Sequence, residues 1–134
     1  MWVVFDTNIL VSAFVTARGR GEAALLRTLE GTDRLLVSKA IIDELLGVLA
    51  RKFSRDREQL ARIAVFLADI GELVDPELKI HRLADDPDNR ILECAVDGHA
   101  DANVTGDRAL LQLKNFEGIP MLTLKSYLSG DSDT

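Results

Sequence analysis

The sequence predicts an α/β fold built on a parallel sheet with helices on both faces. Two observations carry this. Short apolar segments alternate with segments of helical period along the chain, the pattern of strands joined by helical crossovers. The opening segment Trp2-Val3-Val4-Phe5 is apolar throughout rather than at every second residue, as a strand buried on both faces should be. A length of 134 residues suits one domain. An apolar content of 47% suffices for a core.

The elements follow in order along the chain. After the Trp2 to Phe5 strand, Ile9 to Phe14 stays apolar and predicts a short helix or loop. Gly19 and Gly21 mark a mobile turn. Glu22 to Leu29 predicts a helix, because Ala23, Leu26 and Leu29 recur at helical spacing and Gly31 follows. Arg34 to Val37 predicts the second strand. Ser38 then caps a helix running to about Lys52. Asp56 to Ile70 predicts another, with Leu60, Ile63, Ala64 and Leu67 on one face and Gly71 beyond its end. Leu73-Val74 and Leu78 to Ile80 are short strand candidates separated by Pro76. Pro87 occupies the first turn of a helix reaching Gly98. Ala102 to Thr105 predicts a strand, Arg108 to Leu113 a short helix, and Met121 to Leu124 the last strand. A turn of helix around Tyr127 closes the domain, expected over residues 1–129. Residues 130–134 are polar and predict a disordered tail.

Composition narrows the function classes. The single cysteine, Cys94, excludes an internal disulfide and predicts a reducing, cytoplasmic location. No basic segment precedes an apolar leader, and no run approaches the roughly 18 apolar residues that span a membrane. His81, His99 and Cys94 cannot build a structural zinc site. The net charge of −6 argues against nucleic acid, since phosphate binding needs lysine and arginine. Bound cations would neutralise part of that charge, and the basic residues cluster. Arg18 and Arg20 flank Gly19, while Arg51, Lys52, Arg55, Arg57 and Arg62 share one stretch. That stretch reads equally well as a solvated helix edge, because Asp56 and Glu58 interleave with it.

Four acidic residues carry the chemistry. Asp6 ends the first strand, Glu44 interrupts an apolar helix, Asp88 opens a helix, and Asp107 follows a later strand. Carboxylates beside core-forming segments are costly without compensation, and hard divalent cations take oxygen ligands of this kind. In open parallel sheets ligands bind outside the carboxyl ends of the strands. Asp6 and Asp107 are predicted on that rim. The pattern suggests metal-dependent phosphoryl transfer. Each position also has a structural reading. Asp6 suits an Asx turn. Glu44 shares a helix face with Ile41 and Val48, which suits the border of an apolar stripe. Asp86, before Pro87, suits an N-cap, and Asp88 suits the helix dipole. Asp85, Asp86 and Asp88 together exceed what capping requires. Asp107 suits the cap of the next helix, a role compatible with ligation. Cys94 reads as core.

Taken together, these motifs resemble the PIN-domain family, compact metal-dependent ribonucleases that include VapC-like toxins of toxin–antitoxin pairs. The resemblance rests on Val4-Phe5-Asp6-Thr7-Asn8-Ile9-Leu10, Ile42-Asp43-Glu44-Leu45, Asp85-Asp86-Pro87-Asp88-Asn89-Arg90-Ile91-Leu92, and Ala100 to Asp107 followed by Leu110-Leu111. It implies a single α/β/α sandwich with strand order 3-2-1-4-5. It implies Asp6, Glu44, Asp88 and Asp107 as catalytic and metal-binding residues, with Asn8 and Thr105 as supporting polar groups. The third motif can be read one register away, which leaves Asp85 or Asp86 in place of Asp88. The implied cofactor is one or two Mg²⁺ or Mn²⁺ ions, and the implied substrate is RNA guided by Arg18, Arg20, Arg51, Lys52 and Arg55. An antitoxin protein is the implied partner, with self-pairing as a further expectation. Leu25, Leu26, Leu45, Leu49 and Leu60 are candidates for an exposed groove that receives it. A haloacid-dehalogenase-type phosphatase needs a second aspartate where Asn8 stands. Other readings are a catalytically silent PIN-fold interaction module and a free-standing RNA-processing nuclease.

Overall fold

The computed structural model describes residues 1–130, and its sheet grows outward from the first strand. The strands are β1 (Trp2–Phe5), β2 (Arg34–Ser38), β3 (Gly71–Val74), β4 (Ala102–Val104), β5 (Asn115–Phe116) and β6 (Ile119–Leu122). They lie in the order β3-β2-β1-β4-β6-β5. All neighbours are parallel except β5, which pairs antiparallel with β6. Central β1 matches Val4 to Leu36 of β2 on one side and to Asn103 of β4 on the other. The five parallel strands follow the order 3-2-1-4-5, with Ile119–Leu122 as the fifth. The antiparallel β5 is an addition at the edge.

Helices α1 (Thr7–Val15), α2 (Arg20–Leu29), α3 (Lys39–Phe53), α4 (Arg57–Ile70), α5 (Asp86–Asp97), α6 (Arg108–Leu113) and α7 (Leu124–Ser129) make the connections. Pleating sends alternate side chains to opposite faces. Phe5 meets the Tyr127 ring of α7 edge-to-face at 5.7 Å on one face. Leu36, in register with Val4, faces the end of α5 at Gly98 on the other. Val3, Val4, Phe5, Leu35, Leu36 and Val37 are accordingly all buried. Among the described residues no helix is long and apolar enough to cross a membrane.

The local departures from expectation have identifiable causes. Residues 78–80 form no strand. Side chains of α5 take the amides of Leu78 and Ile80, with Glu77 N and Leu78 N donating to Asp97 and Ile80 N donating to Glu93 at 2.8 Å. The last strand ends at Leu122 because Thr123 caps α7 by accepting from Ser126 N. Helix α2 starts at Arg20 rather than Glu22, and Gly21 lies inside it. A Cβ there would stand 2.9 Å from the backbone of Ala13, so this glycine serves the close crossing of α1 and α2 rather than a turn. Asp85, not Asp86, takes the N-cap position of α5, and its side chain makes no capping bond. Of the five leucines expected to line a groove, Leu25, Leu45 and Leu49 are buried, Leu60 is half-buried, and Leu26 is 42% exposed. Gly130, the first residue of the expected tail, is the left-handed C-cap of α7. The rest of that tail lies outside the described residues.

Candidate active site

The carboxyl ends of β1, β2, β4 and β6 point to one rim, where α1, α3, α6 and α7 begin. Asp6 is the first residue beyond β1 and is 4% exposed. Its Oδ1 caps α1 by accepting from Asn8 N at 3.1 Å, and its Oδ2 accepts from the Thr105 hydroxyl at 2.5 Å. Thr105 follows β4 and is fully buried. Its oxygen also accepts from Asp107 N at 2.9 Å. Asp107 in turn caps α6 through Leu110 N at 3.1 Å. A single hydroxyl thus ties the ends of two adjacent central strands together. Asp107 is at once a helix cap and a rim acid, since a carboxylate has more acceptor positions than one cap consumes.

Asp88 arrives on the first turn of α5 and is 6% exposed. Its carboxyl is pushed up to about 7 by burial, then by the charges of Asp107, Asp85 and Asp6, and by a hydrogen bond to Asp107. Asp6 is also raised. Burial dominates, Thr105 and Asn8 N–H oppose it, and the charges of Asp107 and Asp85 add to it. Three acids therefore feel one another across the rim, with Asp85 as an exposed fourth. Among the described residues no lysine or arginine forms an ion pair with Asp6, Asp85, Asp88 or Asp107. The donor set is entirely oxygen, negative and short of counter-charge, which suits a hard divalent cation. No three such side chains among the described residues are already drawn into one coordination shell. Like charges without a cation repel, and Asp6 and Asp107 each spend an oxygen on a helix N-terminus.

The remaining predicted residues fall in different places. Glu44, half-buried in α3, borders a neighbouring pocket of about 160 Å³ with Thr7, Ile41, Asp86, Pro87 and Arg90. The charges raising Asp6 and Asp88 come from the aspartates alone, so Glu44 flanks that cluster. Asp86 is exposed and pairs with Arg90 at 3.1 Å. Asp85 is therefore the better companion to Asp88. Asn8 supports Asp6 through its backbone, while its side chain is exposed. Arg18 and Arg20 lie exposed at the α1–α2 connection, and Arg51 and Lys52 lie in the last turn of α3. Arg51 stands seven residues beyond Glu44, about 10 Å farther along the helix from the rim at ~1.5 Å per residue.

Sequence reasoning missed Arg90 and Glu93. Glu93 is 2% exposed, accepts from Ile80 N, and pairs with Arg90 at 2.7 Å. Ile80 N donating to Glu93 and Arg90 donating to Ile80 O at 3.1 Å hold the 75–84 connection to α5, the helix that carries Asp88. The available signal was the i, i+3 spacing of opposite charges.

Residues 2–109 match the model of the PIN domain. No curated protein sequence matches the chain. Two solved structures are similar in fold. VapBC-1 from nontypeable Haemophilus influenzae aligns with a TM-score of 0.66 at 20% identity, covering 93% of this chain and 99% of that one. VapBC2 from Rickettsia felis, bound to a DNA fragment from its promoter, aligns with a TM-score of 0.63 at 17% identity, covering 92% and 98%. With the family model spanning both strand-end aspartates and the Asp85–Asp88 segment, the chain belongs to the PIN-domain family.

Proposed function

We propose that the acidic rim is the site of a Mg²⁺- or Mn²⁺-dependent endoribonuclease and that the protein is the toxin of a toxin–antitoxin pair, acting in the cytoplasm. The observation that carries the nuclease reading is the mutual charge of Asp6, Asp88 and Asp107, buried or half-buried, with no basic side chain among the described residues paired to them. PIN-family membership supports the same reading. Likeness of fold to two VapBC structures over almost their whole length supports the toxin assignment and an antitoxin partner.

Asp6, Asp88 and Asp107 would hold the cation, with Asp85 beside them and Glu44 facing the substrate from α3. When bound, such a cation supplies Lewis-acid stabilisation of charge developing on the phosphodiester. The chain's own contributions are geometric and electrostatic. Thr105 fixes the carboxylate of Asp6 and the backbone of Asp107 relative to each other. The helix N-termini at the rim present partial positive charge to an anionic backbone. The raised carboxyl of Asp88 reflects burial and the crowding of like charges, a strain that a bound cation would relieve.

The test is cleavage of unstructured RNA by the wild type in Mn²⁺, compared with EDTA and with Asp6→Asn. Manganese-dependent cleavage lost in both controls is expected. Equal cleavage by folded Asp6→Asn protein would remove the rim from the reaction. A companion polypeptide that co-purifies and silences this activity supports the toxin assignment, whereas an active protein recovered alone makes it a free-standing nuclease.

A further inference from the structure

The long free edge of the sheet lies away from the acidic rim. Strand β3 ends the strand order and pairs only with β2. A sheet edge presents unpaired amides and carbonyls, and proteins blunt it with a cover, a bulge, a proline or charge, of which β3 has the single charge of Glu72. Among the described residues β3 receives no second strand, and its run Gly71-Glu72-Leu73-Val74 carries no proline. Leu73 is 57% exposed, and Leu78 in the following connection is 45% exposed.

Two grooves flank this edge, and Glu72 and Leu73 border both. The first, about 830 Å³, has an apolar floor of Leu36 and Val74 and an acidic border of Glu72, Asp75, Glu77 and Asp97. His99 is the one basic type in its lining. The second, about 510 Å³, is formed by Trp2, Leu35, Ile70 and Gly71 together with Arg34, whose guanidinium lies 5.2 Å from the centre of the Trp2 ring, and with Asp33 already committed to partners of its own. One side of the edge is thus negative, and the other mixes Trp2, Ile70 and Leu73 with the cation of Arg34, which favours apolar over basic side chains there.

We propose that β3 is a docking edge for an extended segment of a partner polypeptide in which basic and apolar residues alternate. A strand added to an edge hydrogen-bonds along its backbone and sends successive side chains to opposite faces. Lysines or arginines at every second position would enter the acidic groove, and the intervening apolar residues would meet Trp2, Leu35 and Ile70. A second copy of this chain is a poor occupant. Its own edge would bring Glu72, Asp75 and Glu77 against their like. The proposal does not depend on the nuclease reading, because no rim residue takes part.

The test uses a short fluorescent peptide of alternating lysine and valine. Two controls accompany it: the same composition as a lysine block followed by a valine block, and an alternating peptide N-methylated at every second amide. The alternating peptide should bind saturably and slow amide exchange in residues 71–74. Both controls should lose binding. Glu72→Lys combined with Glu77→Lys should weaken binding about tenfold or more, because like charges oppose across the contact. Those side chains are exposed, so the melting temperature should hold. If the double variant fails to fold, the two control peptides on the wild type still decide the matter. Equal binding of all three peptides reduces the site to charge alone and overturns strand addition. Absence of saturable binding overturns it too, as does a peptide-free dimer that protects residues 71–74.

Discussion

Asp6 and Asp33 are buried almost equally, at 4% and 5% exposure, at opposite ends of one sheet, and the protein treats them in opposite ways. Asp33 sits just before β2. It receives the Tyr127 hydroxyl at 2.6 Å, Arg27 Nε at 3.2 Å and the Met1 amine at 2.9 Å. Burial would raise its carboxyl, but the Tyr127 hydrogen bond, the amine and Arg27 together hold it below the usual range. Arg27 also lies 4.8 Å from the centre of the Tyr127 ring, so the cluster joins α2, α7 and the start of β1. Asp6 receives one hydroxyl and one backbone amide, faces two other carboxylates, and is raised. The chain therefore neutralises a buried acid where the fold needs one. At the other rim it leaves three acids for something outside the chain to neutralise. Compensated burial is a stability device, while uncompensated burial held on rigid strand ends is the feature on which the proposed cation site rests.

The sharpest way to break this comparison is to remove one acid from each end. Asp6→Asn should abolish RNA cleavage while leaving metal-free stability equal or higher, since it relieves repulsion and desolvation. Thr105→Val, which frees both Asp6 and Asp107, should reduce cleavage by about 10–100-fold, the usual penalty for losing an outer support. Gel-based cleavage assays and thermal melts on the same samples read both quantities. A less stable Asp6→Asn protein would mean that the two rims are alike.

Asp33→Ala should do the reverse, with cleavage per folded molecule preserved. Its loss strands Arg27, Tyr127 and the amine, and should cost about 3 kcal/mol in denaturant unfolding, the low end for a broken buried pair because Arg27 keeps access to water. A cost below a few tenths of a kcal/mol would show the Asp33 cluster to be ornamental.

Divalent cations sharpen the contrast further. Mg²⁺ or Mn²⁺ should raise the melting temperature of the wild type and of Asp33→Ala, but much less that of Asp6→Asn, because a ligand stabilises only the state that binds it. Equal shifts in all three proteins would place the cation elsewhere.

The smallest effect concerns pH. The folded carboxyl of Asp33 titrates below its unfolded value of about 3.9. Its stabilisation is therefore complete above roughly pH 5 and is lost as pH falls through 4 towards the folded pKa. Wild-type stability should decline over that window, and Asp33→Ala should decline less. Parallel acid profiles would remove the linkage.

Much of this was legible along the chain. The apolar runs Trp2–Phe5 and Leu35–Val37 had to be central strands, because consecutive apolar residues need cover on both faces. The placement of Asp6 and Asp107 at one rim followed from parallel direction alone. Ser38 capped the helix expected of it, and the next helix begins at Arg57 because Asp56, read as its first residue, is its cap. Where the chain misled, the deciding partner was distant in sequence. Residues 78–80 look like a strand until Asp97 and Glu93 claim their amides. Gly21 looks like a turn until α1 presses on it.

Charge needed the tertiary structure most. Asp6, Asp33, Asp86 and Asp88 are the same side chain, and position in the sequence does not separate their fates. Only folding sets Tyr127, 94 residues away, against Asp33. Helical i, i+4 spacing turns Asp86 to Arg90, but only folding gathers Asp88 with Asp6 and Asp107. Local patterning determines which segments bury themselves. Which buried charges find a partner depends on long-range distance, and Coulomb interactions and desolvation are set by that distance rather than by neighbours in sequence.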